Sequence, residues 1–329
     1  MRVQLKNIVA YFPFFYYYLG PTAFITYLLA GRSLLGRFSF LGVIFAIIFA
    51  AYVLMLFGVN GFLNGLYLFR FFWGFILFYL LFKSGIQIQI DKLLIFLSVL
   101  TIIEAVLINT VISAQLLPNF PSMEAASHFA PAGDYQRPYS FGGSASVTSV
   151  ILVAFLAVSR LGWRGKSLVI SAISACMSGS GFIAVIIYFL ARTPRIGYLL
   201  IVPAIIGVVY SADIYKISPD YLFYLLDFKI GQITDNYSSA FLFLGEPLQA
   251  SEGSAGGDFA ALTFLQYNGL VGLFLFFTFF VLNINKLNWL PILILLVGAL
   301  HYGVIFFFPG QLALGYILNI KPKPVGAST

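Results

Sequence analysis

Long apolar runs constrain this chain more than any other feature of its sequence. Six runs have the length that a membrane-spanning helix needs, about 20 residues. They cover 11–30, 38–57, 62–82, 92–117, 140–160 and 259–282. Two further stretches, 167–211 and 287–320, are apolar but interrupted by Gly, Pro or charge. Because 61% of the 329 residues are hydrophobic, one soluble core could not bury them. We predict an all-α polytopic integral membrane protein, a single transmembrane domain over 1–329.

The distribution of charge predicts how these helices are oriented. Under the positive-inside rule, 12 of the 18 basic residues mark cytoplasmic segments. The opposite face then receives two external loops, about 118–139 and 212–258, which hold nine of the 11 acidic residues. Three short passes within 167–211, turning near Ser178 and near 192–195, give eleven crossings. A re-entrant short pair gives nine or ten, so we expect 9–11 transmembrane helices.

Composition argues against several kinds of site. Cys176 is the single cysteine, and no Cys/His cluster has metal-ligand spacing, so neither a disulfide framework nor a thiolate or imidazole metal site is predicted. The net charge of +7 comes from scattered Lys and Arg residues, without a basic groove or arm. We therefore expect membrane lipids, and not nucleic acid, around this protein.

Two charged residues fall inside predicted helices. Arg70 lies eight residues after the external end of its helix, and Glu104 lies twelve residues after the cytoplasmic end of the next. At about 1.5 Å per residue both come near the middle of the bilayer, where a charge costs at least about 2.5 kcal/mol. We predict that Arg70 and Glu104 pair; a substrate-binding role for Arg70 is the alternative.

The second external loop ends in polar chemistry next to a helix. Phe243-Leu-Gly-Glu-Pro-Leu precedes Gly256-Gly-Asp-Phe, which leads into an apolar helix. Asp258 is expected to cap that helix, where its carboxylate meets free amide groups and the positive end of the dipole. The functional alternative is an acid that faces a substrate at the membrane surface, with Glu246 as the second candidate.

These segments resemble those of the bacterial O-antigen polymerases and O-antigen ligases (Wzy-type and WaaL-type enzymes). Residues 243–277 follow the family's late external loop in order, ending in Asn268-Gly-Leu-Val-Gly at an apolar helix. Gln136-Arg-Pro-Tyr-Ser-Phe is similar to the family's Arg-x-x-Gly-x-Phe segment, although here the glycine follows the phenylalanine. Ser174-Ala-Cys-Met-Ser-Gly-Ser-Gly resembles a Ser-x-Ser-Arg turn, with Gly181 at the arginine position.

The resemblance implies a GT-C-like glycosyltransferase in the bacterial plasma (inner) membrane. Such an enzyme polymerises undecaprenyl-diphosphate-linked oligosaccharide repeat units into a surface polysaccharide at the outer face, without a metal ion or other cofactor. Chain-length regulator or flippase proteins are its implied protein partners. Ligase-type transfer to another acceptor stays open, as do a polysaccharide or lipid transporter or flippase and a noncatalytic assembly subunit.

Glycosyl transfer from a diphosphate carrier needs a cation for the leaving group and an acceptor for the hydroxyl proton. Arg137 is the expected cation, because its forked donors match phosphate oxygens. The other substrate-binding candidates are Arg70, Lys216, Lys229 and Tyr139.

His301 is a further candidate, at the point where 287–320 must turn if it forms two helices. Helix packing is its plainer interpretation, but ligase-type members carry a functional histidine late in the chain. The catalytic candidates are therefore Arg137, Asp258, Glu246 and His301.

Overall fold

The computed structural model describes residues 10–20, 40–112, 135–203, 243–247, 260–299 and 303–320, together with 223–224, 226–228 and 230–231. These residues are mainly helical and contain no strand. Three stretches are long and apolar enough to cross a membrane, judged by length and composition: Phe40–Lys83, Ile90–Thr110 and Ala260–Asn283. To that extent the prediction of an all-α chain with membrane-spanning helices is confirmed.

The helices follow one another in a simple order. A 3-10 turn, Phe12–Phe15, precedes α1 (Tyr16–Leu19). The first long stretch consists of α2 (Phe40–Leu68), a π-helical turn (Phe69–Trp73) and α3 (Gly74–Lys83), and α4 is Ile90–Thr110. A 3-10 turn, Ser140–Gly142, leads into α5 (Ala145–Val158), α6 (Trp163–Ala175), α7 (Gly179–Arg192) and α8 (194–203). The last elements are α9 (Ala260–Asn283), α10 (Trp289–Gly298), a 3-10 turn (Val304–Phe306) and α11 (Phe308–Leu318).

The stretch Phe40–Lys83 reverses direction at Gly61. This glycine has φ 74° and ψ 168°, a conformation that side chains disfavour. The ring centroids of Phe49 and Trp73 lie 5.0 Å apart, whereas a straight helix would separate these residues by about 36 Å. The predicted break between 38–57 and 62–82 is therefore confirmed, and each half is long enough to cross a bilayer.

Two predicted runs form shorter helices than their apolar length suggests. Within 11–30, α1 stops at Leu19 because Gly20 turns away with φ 62°, so the predicted single helix is wrong for this part. Helix α4 ends at Thr110, not at 117. The Asn109 side chain and the Thr110 hydroxyl donate to carbonyls of their own helix at 2.7 Å, which is typical of helix ends. Glu104 therefore lies about 9 Å from the end of its helix and not near its middle.

Helices α6 and α7 form a short hairpin, and residues 176–178 are its tip. They contain 13 and 14 residues, about 20 Å each, whereas the hydrocarbon core of a bilayer is about 30 Å thick. Turns at this tip and at Thr193 confirm the turns predicted near Ser178 and near 192–195.

Helix α5 lies at the centre of the bundle. All of its residues except Ser146 and Val158 are buried, and it packs against α6, α7, α10 and α11. A helix that is apolar on every side is suited to such a position. Helix α2 instead exposes large apolar side chains, including Phe40 at 79% and Leu63 at 78%. An apolar surface of this kind fits contact with lipid.

Candidate functional site

The Arg137 segment, residues 135–143, is held against α4 by Asn109. The Asn109 side chain donates to the Gln136 carbonyl at 2.9 Å and accepts from the Gln136 N–H at 2.8 Å. This two-way contact fixes both backbone groups of the residue before Arg137. The arginine therefore extends from a backbone whose position is set by a membrane helix.

On the other side of Arg137, Glu104 holds the backbone of Ser140. Its Oε1 accepts from the Ser140 N–H at 3.2 Å, and its Oε2 accepts from the Tyr18 hydroxyl at 3.0 Å. Glu104 is 1% exposed, so these donors offset the free energy lost when its carboxylate leaves water. Ser140 has φ 49°, an uncommon conformation for a residue other than glycine. Such a conformation persists only where neighbouring contacts hold it.

Two further contacts tie the Arg137 segment to the central helices. The Thr148 hydroxyl of α5 donates to the Tyr139 carbonyl at 2.5 Å and accepts from the Gly142 N–H at 3.1 Å. The Tyr135 hydroxyl donates to the Ala175 carbonyl at 2.6 Å. Burial, reinforced by Cys176, raises the pKa of the Tyr135 phenol above its ordinary value, which keeps this donor protonated.

Arg137 and Glu104 both act on Cys176 at the α6–α7 tip. Both side chains lie close enough to the buried Cys176 thiol to interact with it electrostatically. Arg137 is half-buried, so its guanidinium is partly shielded from solvent. A half-buried cation and a buried carboxylate therefore both influence the electrostatics of this tip.

Arg70 approaches the same segment from the π-helical turn. Its guanidinium interacts electrostatically with the Tyr17 phenol, and the Tyr17 ring lies directly against Gly143. The Gln311 side-chain amide donates to the carbonyls of Arg70 and Phe71 at 2.7 and 2.8 Å. These bonds satisfy carbonyls at a turn that departs from α-helical bonding, and such π-helical turns are common at functional sites.

Arg70 and Glu104, which the sequence predicts to pair, each lie near one of two adjacent tyrosines. The two residues interact with adjacent tyrosines, Arg70 with Tyr17 and Glu104 with Tyr18. Arg70 lies about 14 Å from the turn at Gly61, and Glu104 lies about 9 Å from the end of its helix. Direct pairing between the two charges stays a prediction.

Glu246 lies in a second polar group, where residues 243–247 pack into a bend of α9. The bend is at Gly269, with φ 62°, and the Phe243 backbone lies directly against this glycine. Glu246 is 5% exposed, and its carboxylate accepts from the Gln266 side chain at 2.7 Å. The Glu246 N–H also donates to the Gln266 carbonyl at 2.7 Å. Glu246 is thus held inside the protein, next to the helix break.

The π-helical turn connects the two polar groups. The Phe72 ring lies 6.0 Å from the Tyr267 ring, centroid to centroid. The Trp73 indole N–H donates to the Asn268 side-chain oxygen at 2.8 Å, and the Tyr52 hydroxyl donates to the same oxygen at 3.0 Å. Arg70 therefore belongs to a short element that contacts both the Arg137 side and the Glu246 side.

Gly181, at the position where the family pattern has arginine, has no space for a longer side chain. A Cβ at this position would overlap the Ser149 hydroxyl of α5. The neighbouring Ser178 side chain caps α7 at the Gly181 N–H, 3.4 Å away, and lies 3.0 Å from the Ser146 hydroxyl. Gly181 thus lets α7 pack closely on α5, and an arginine at this position would not fit.

Of the remaining predicted site residues, Tyr139 is half-buried within the Arg137 segment. The others, Lys216, Lys229, Asp258 and His301, lie outside the described residues. Helices α10 and α11 confirm that 287–320 is interrupted between two helices, in the region where His301 lies in the sequence.

Sequence reasoning assigned no organising role to four polar residues that hold these groups: Tyr18, Asn109, Asn268 and Gln311. Each lies within an apolar run, and a polar side chain in a membrane helix is itself a signal of function or of a specific contact. Their partners are distant in the sequence, so the contacts could not be assigned without the fold.

Among the described residues, no group of three or more His, Cys, Asp or Glu side chains is placed to hold a metal ion. The Arg137 segment offers a guanidinium on a backbone that Asn109 and Glu104 hold. This arrangement suits the binding of an anionic group. In comparisons with known proteins, no family model, no curated protein and no solved structure matches this chain.

Proposed function

We propose that this chain is a polysaccharide polymerase that transfers oligosaccharide from an undecaprenyl-diphosphate carrier to the hydroxyl of an acceptor sugar at the outer face of the bacterial plasma membrane. The observation that carries the proposal is that Asn109 and Glu104 hold the backbone on either side of Arg137, near the α6–α7 tip. The sequence resemblance supplies the substrate class.

The proposed step breaks one bond and forms one. The acceptor hydroxyl oxygen bonds to the anomeric carbon as the bond from that carbon to the diphosphate oxygen breaks. The electron pair stays on the diphosphate, and the hydroxyl proton passes to a base. Arg137 stabilises the charge that develops on the leaving group, because a guanidinium can donate to two phosphate oxygens at once.

Preorganisation is the reason to assign this role to Arg137. Asn109 and Glu104 hold the backbone on either side of it, so little reorganisation is required when charge develops. Glu104 acts here as a positioning residue, through the Ser140 N–H. Arg70 is proposed as a second cation for the diphosphate, because it reaches the same segment through Tyr17.

The base is proposed to come from Asp258, Glu246 or His301. Glu246 lies at the helix break, and its carboxylate accepts a hydrogen bond from the Gln266 side chain. Substrate would have to displace that hydrogen bond before the carboxylate could accept a proton. Asp258 follows in the same late loop. His301 lies between α10 and α11 in the sequence.

The proposed enzyme has a GT-C-like membrane architecture, in which α6 and α7 form a re-entrant pair and the chain crosses the membrane nine or ten times. The two helices are too short to span the hydrocarbon core, and non-helical backbone at membrane depth is tolerated where protein buries it or where it lines a water-filled cavity. A recessed tip of this kind suits a substrate with a diphosphate at the headgroup level and a polyprenyl chain in the lipid.

The test is reconstitution of purified protein into liposomes with a polyprenyl-diphosphate oligosaccharide, followed by sizing of the products. A ladder of lengths supports a polymerase, whereas a single transfer to another acceptor indicates a ligase. Arg137→Ala should abolish the ladder, and Arg164→Ala, an exposed arginine at the opposite end of α5, should leave it unchanged. A full ladder from Arg137→Ala protein would refute the assignment.

A flippase for the same lipid-linked saccharide is the second candidate. Its support is the helix that is broken at Gly269 and the interruption between α10 and α11, since broken helices with polar residues at depth are typical of transporters. Movement of a fluorescent lipid-linked saccharide between leaflets, without change in its length, would favour this candidate over the polymerase.

A further inference from the structure

A cleft of about 510 Å³ opens at the end of α5 that lies away from the Arg137 segment. Helix α5 has 14 residues, so about 20 Å separates the two regions. The lining includes two cations, Lys166 and Arg192, together with hydroxyl and aromatic side chains: Ser159, Ser167, Trp163 and Tyr188. None of these residues belongs to the proposed glycosyl-transfer site.

The charged side chains that line this cleft have one sign. Residues 156–203 contain five basic residues and no carboxylate. A carboxylate does lie close to the cleft: Asp91 accepts from the Arg160 N–H at 2.9 Å, next in sequence to Ser159. The lining residues themselves therefore carry positive charge only, which favours an anionic ligand.

Arg192 is held in the cleft wall by α5. Its Nη2 donates at 3.0 Å to the Ala157 carbonyl, in the last turn of that helix. An arginine here satisfies a carbonyl that the helix end leaves without an internal partner. Arg192 remains exposed, so other N–H groups of its fork are accessible to a ligand.

The rim of the cleft has the composition of a membrane interface. Trp163 is 74% exposed, and just beyond the cleft Tyr198 is 67% and Leu199 is 74% exposed. Aromatic and basic residues together are typical of the headgroup level, where rings contact the upper acyl chains and cations contact phosphates. The cleft thus combines a basic interior with an apolar rim.

We propose that this cleft binds the phosphate group of an anionic membrane lipid, with Lys166 and Arg192 contacting the phosphate and the acyl chains lying against the rim. The hydroxyls of Ser159 and Ser167 complete a phosphate-binding lining. The bound lipid ties α5, α6 and α7 together at the end opposite the α6–α7 tip.

The test is binding of phosphatidylglycerol and phosphatidylcholine to purified full-length protein, measured by native mass spectrometry from mixed micelles. The unmodified protein should prefer phosphatidylglycerol. Removing one cation should weaken that binding about fivefold, because each basic residue contributes about 1 kcal/mol to the binding free energy. The double variant Lys166→Gln/Arg192→Gln removes both cations. If it fails to fold, the single variant Lys166→Gln remains informative, because it keeps the Arg192–Ala157 hydrogen bond. Lys286→Gln, an exposed lysine outside the cleft, is the matched control and should change nothing.

Two results would overturn the proposal. One is equal weakening by Lys166→Gln and Lys286→Gln, which would mean that general surface charge attracts the lipid. The other is binding of soluble glycerol phosphate or inorganic phosphate to the protein as tightly as phosphatidylglycerol binds, which would identify a free phosphate as the ligand. Neither result bears on polymer synthesis, so this test is independent of the proposed function.

Discussion

The hydrogen bond between Tyr18 and Glu104 allows a quantitative test of how the Arg137 segment is held. Tyr18→Phe removes the hydroxyl that donates to the carboxylate at 3.0 Å. Glu104→Gln keeps the shape of the side chain but removes its charge. The amide oxygen can still accept from the Ser140 N–H, and the amide nitrogen can donate to a rotated Tyr18 hydroxyl.

The expected magnitudes follow from the charge on the acceptor. A hydrogen bond to a charged group contributes about 1.5–3 kcal/mol and a neutral one about 0.5–1.5 kcal/mol. Tyr18→Phe should therefore lower the free energy of unfolding by about 2 kcal/mol in the natural protein and by about 1 kcal/mol in the Glu104→Gln variant. The double-mutant cycle should give a coupling free energy of about 1 kcal/mol.

Reversible unfolding in mixed detergent micelles, followed by tryptophan fluorescence, measures the four free energies of the cycle. Tyr67→Phe is the matched control, because this tyrosine lies in α2 and is 42% exposed; its loss should cost less than about 0.5 kcal/mol. If Tyr18→Phe has the same effect with Glu and with Gln at 104, within about 0.3 kcal/mol, the carboxylate does not organise this contact.

Two further substitutions test neighbouring contacts. Gly181→Arg introduces the arginine of the pattern that this segment resembles but should destabilise the protein by about 1–3 kcal/mol through overlap with Ser149, seen as a lower Tm. An unchanged Tm would mean that α7 does not pack closely on α5. Asn109→Ala should lower the rate of polymer synthesis at equal protein level, because it releases Gln136. Asn283→Ala, which removes a comparable side-chain bond to its own helix, should preserve the rate. Equal losses of rate from both variants would point to a general effect on stability.

The positions of the helices could be predicted from the sequence to a useful extent, because a bilayer requires long apolar runs and turns mark their ends. The break at Gly61 and the turns near Ser178 and Thr193 were predictable in this way. The early ends of α1 and α4 were not. They depend on a glycine conformation at Gly20 and on the side-chain bonds of Asn109, which hydropathy does not register.

The candidate site was predictable as a set of charges but not as a geometry. Arg137, Arg70 and Glu104 stand out because a charge near or within a membrane helix is costly. Their organising partners are residues such as Tyr18 and Gln311, whose contacts depend on tertiary packing. Tyr18 and Glu104 are 86 positions apart in the sequence, and no local pattern indicates such a pair.

The most direct test of the proposed function compares Arg137→Lys, Arg137→Ala and Arg164→Lys in reconstituted polymer synthesis. Arg137→Lys keeps the charge but loses the fork, so the rate should fall by about tenfold or more, with about 1.4 kcal/mol corresponding to each factor of ten. Arg137→Ala should lower the rate further, and Arg164→Lys should leave it unchanged. Near-normal polymer synthesis by Arg137→Ala protein, at the same amount and with the same Tm as the natural protein, would contradict the proposed role of Arg137.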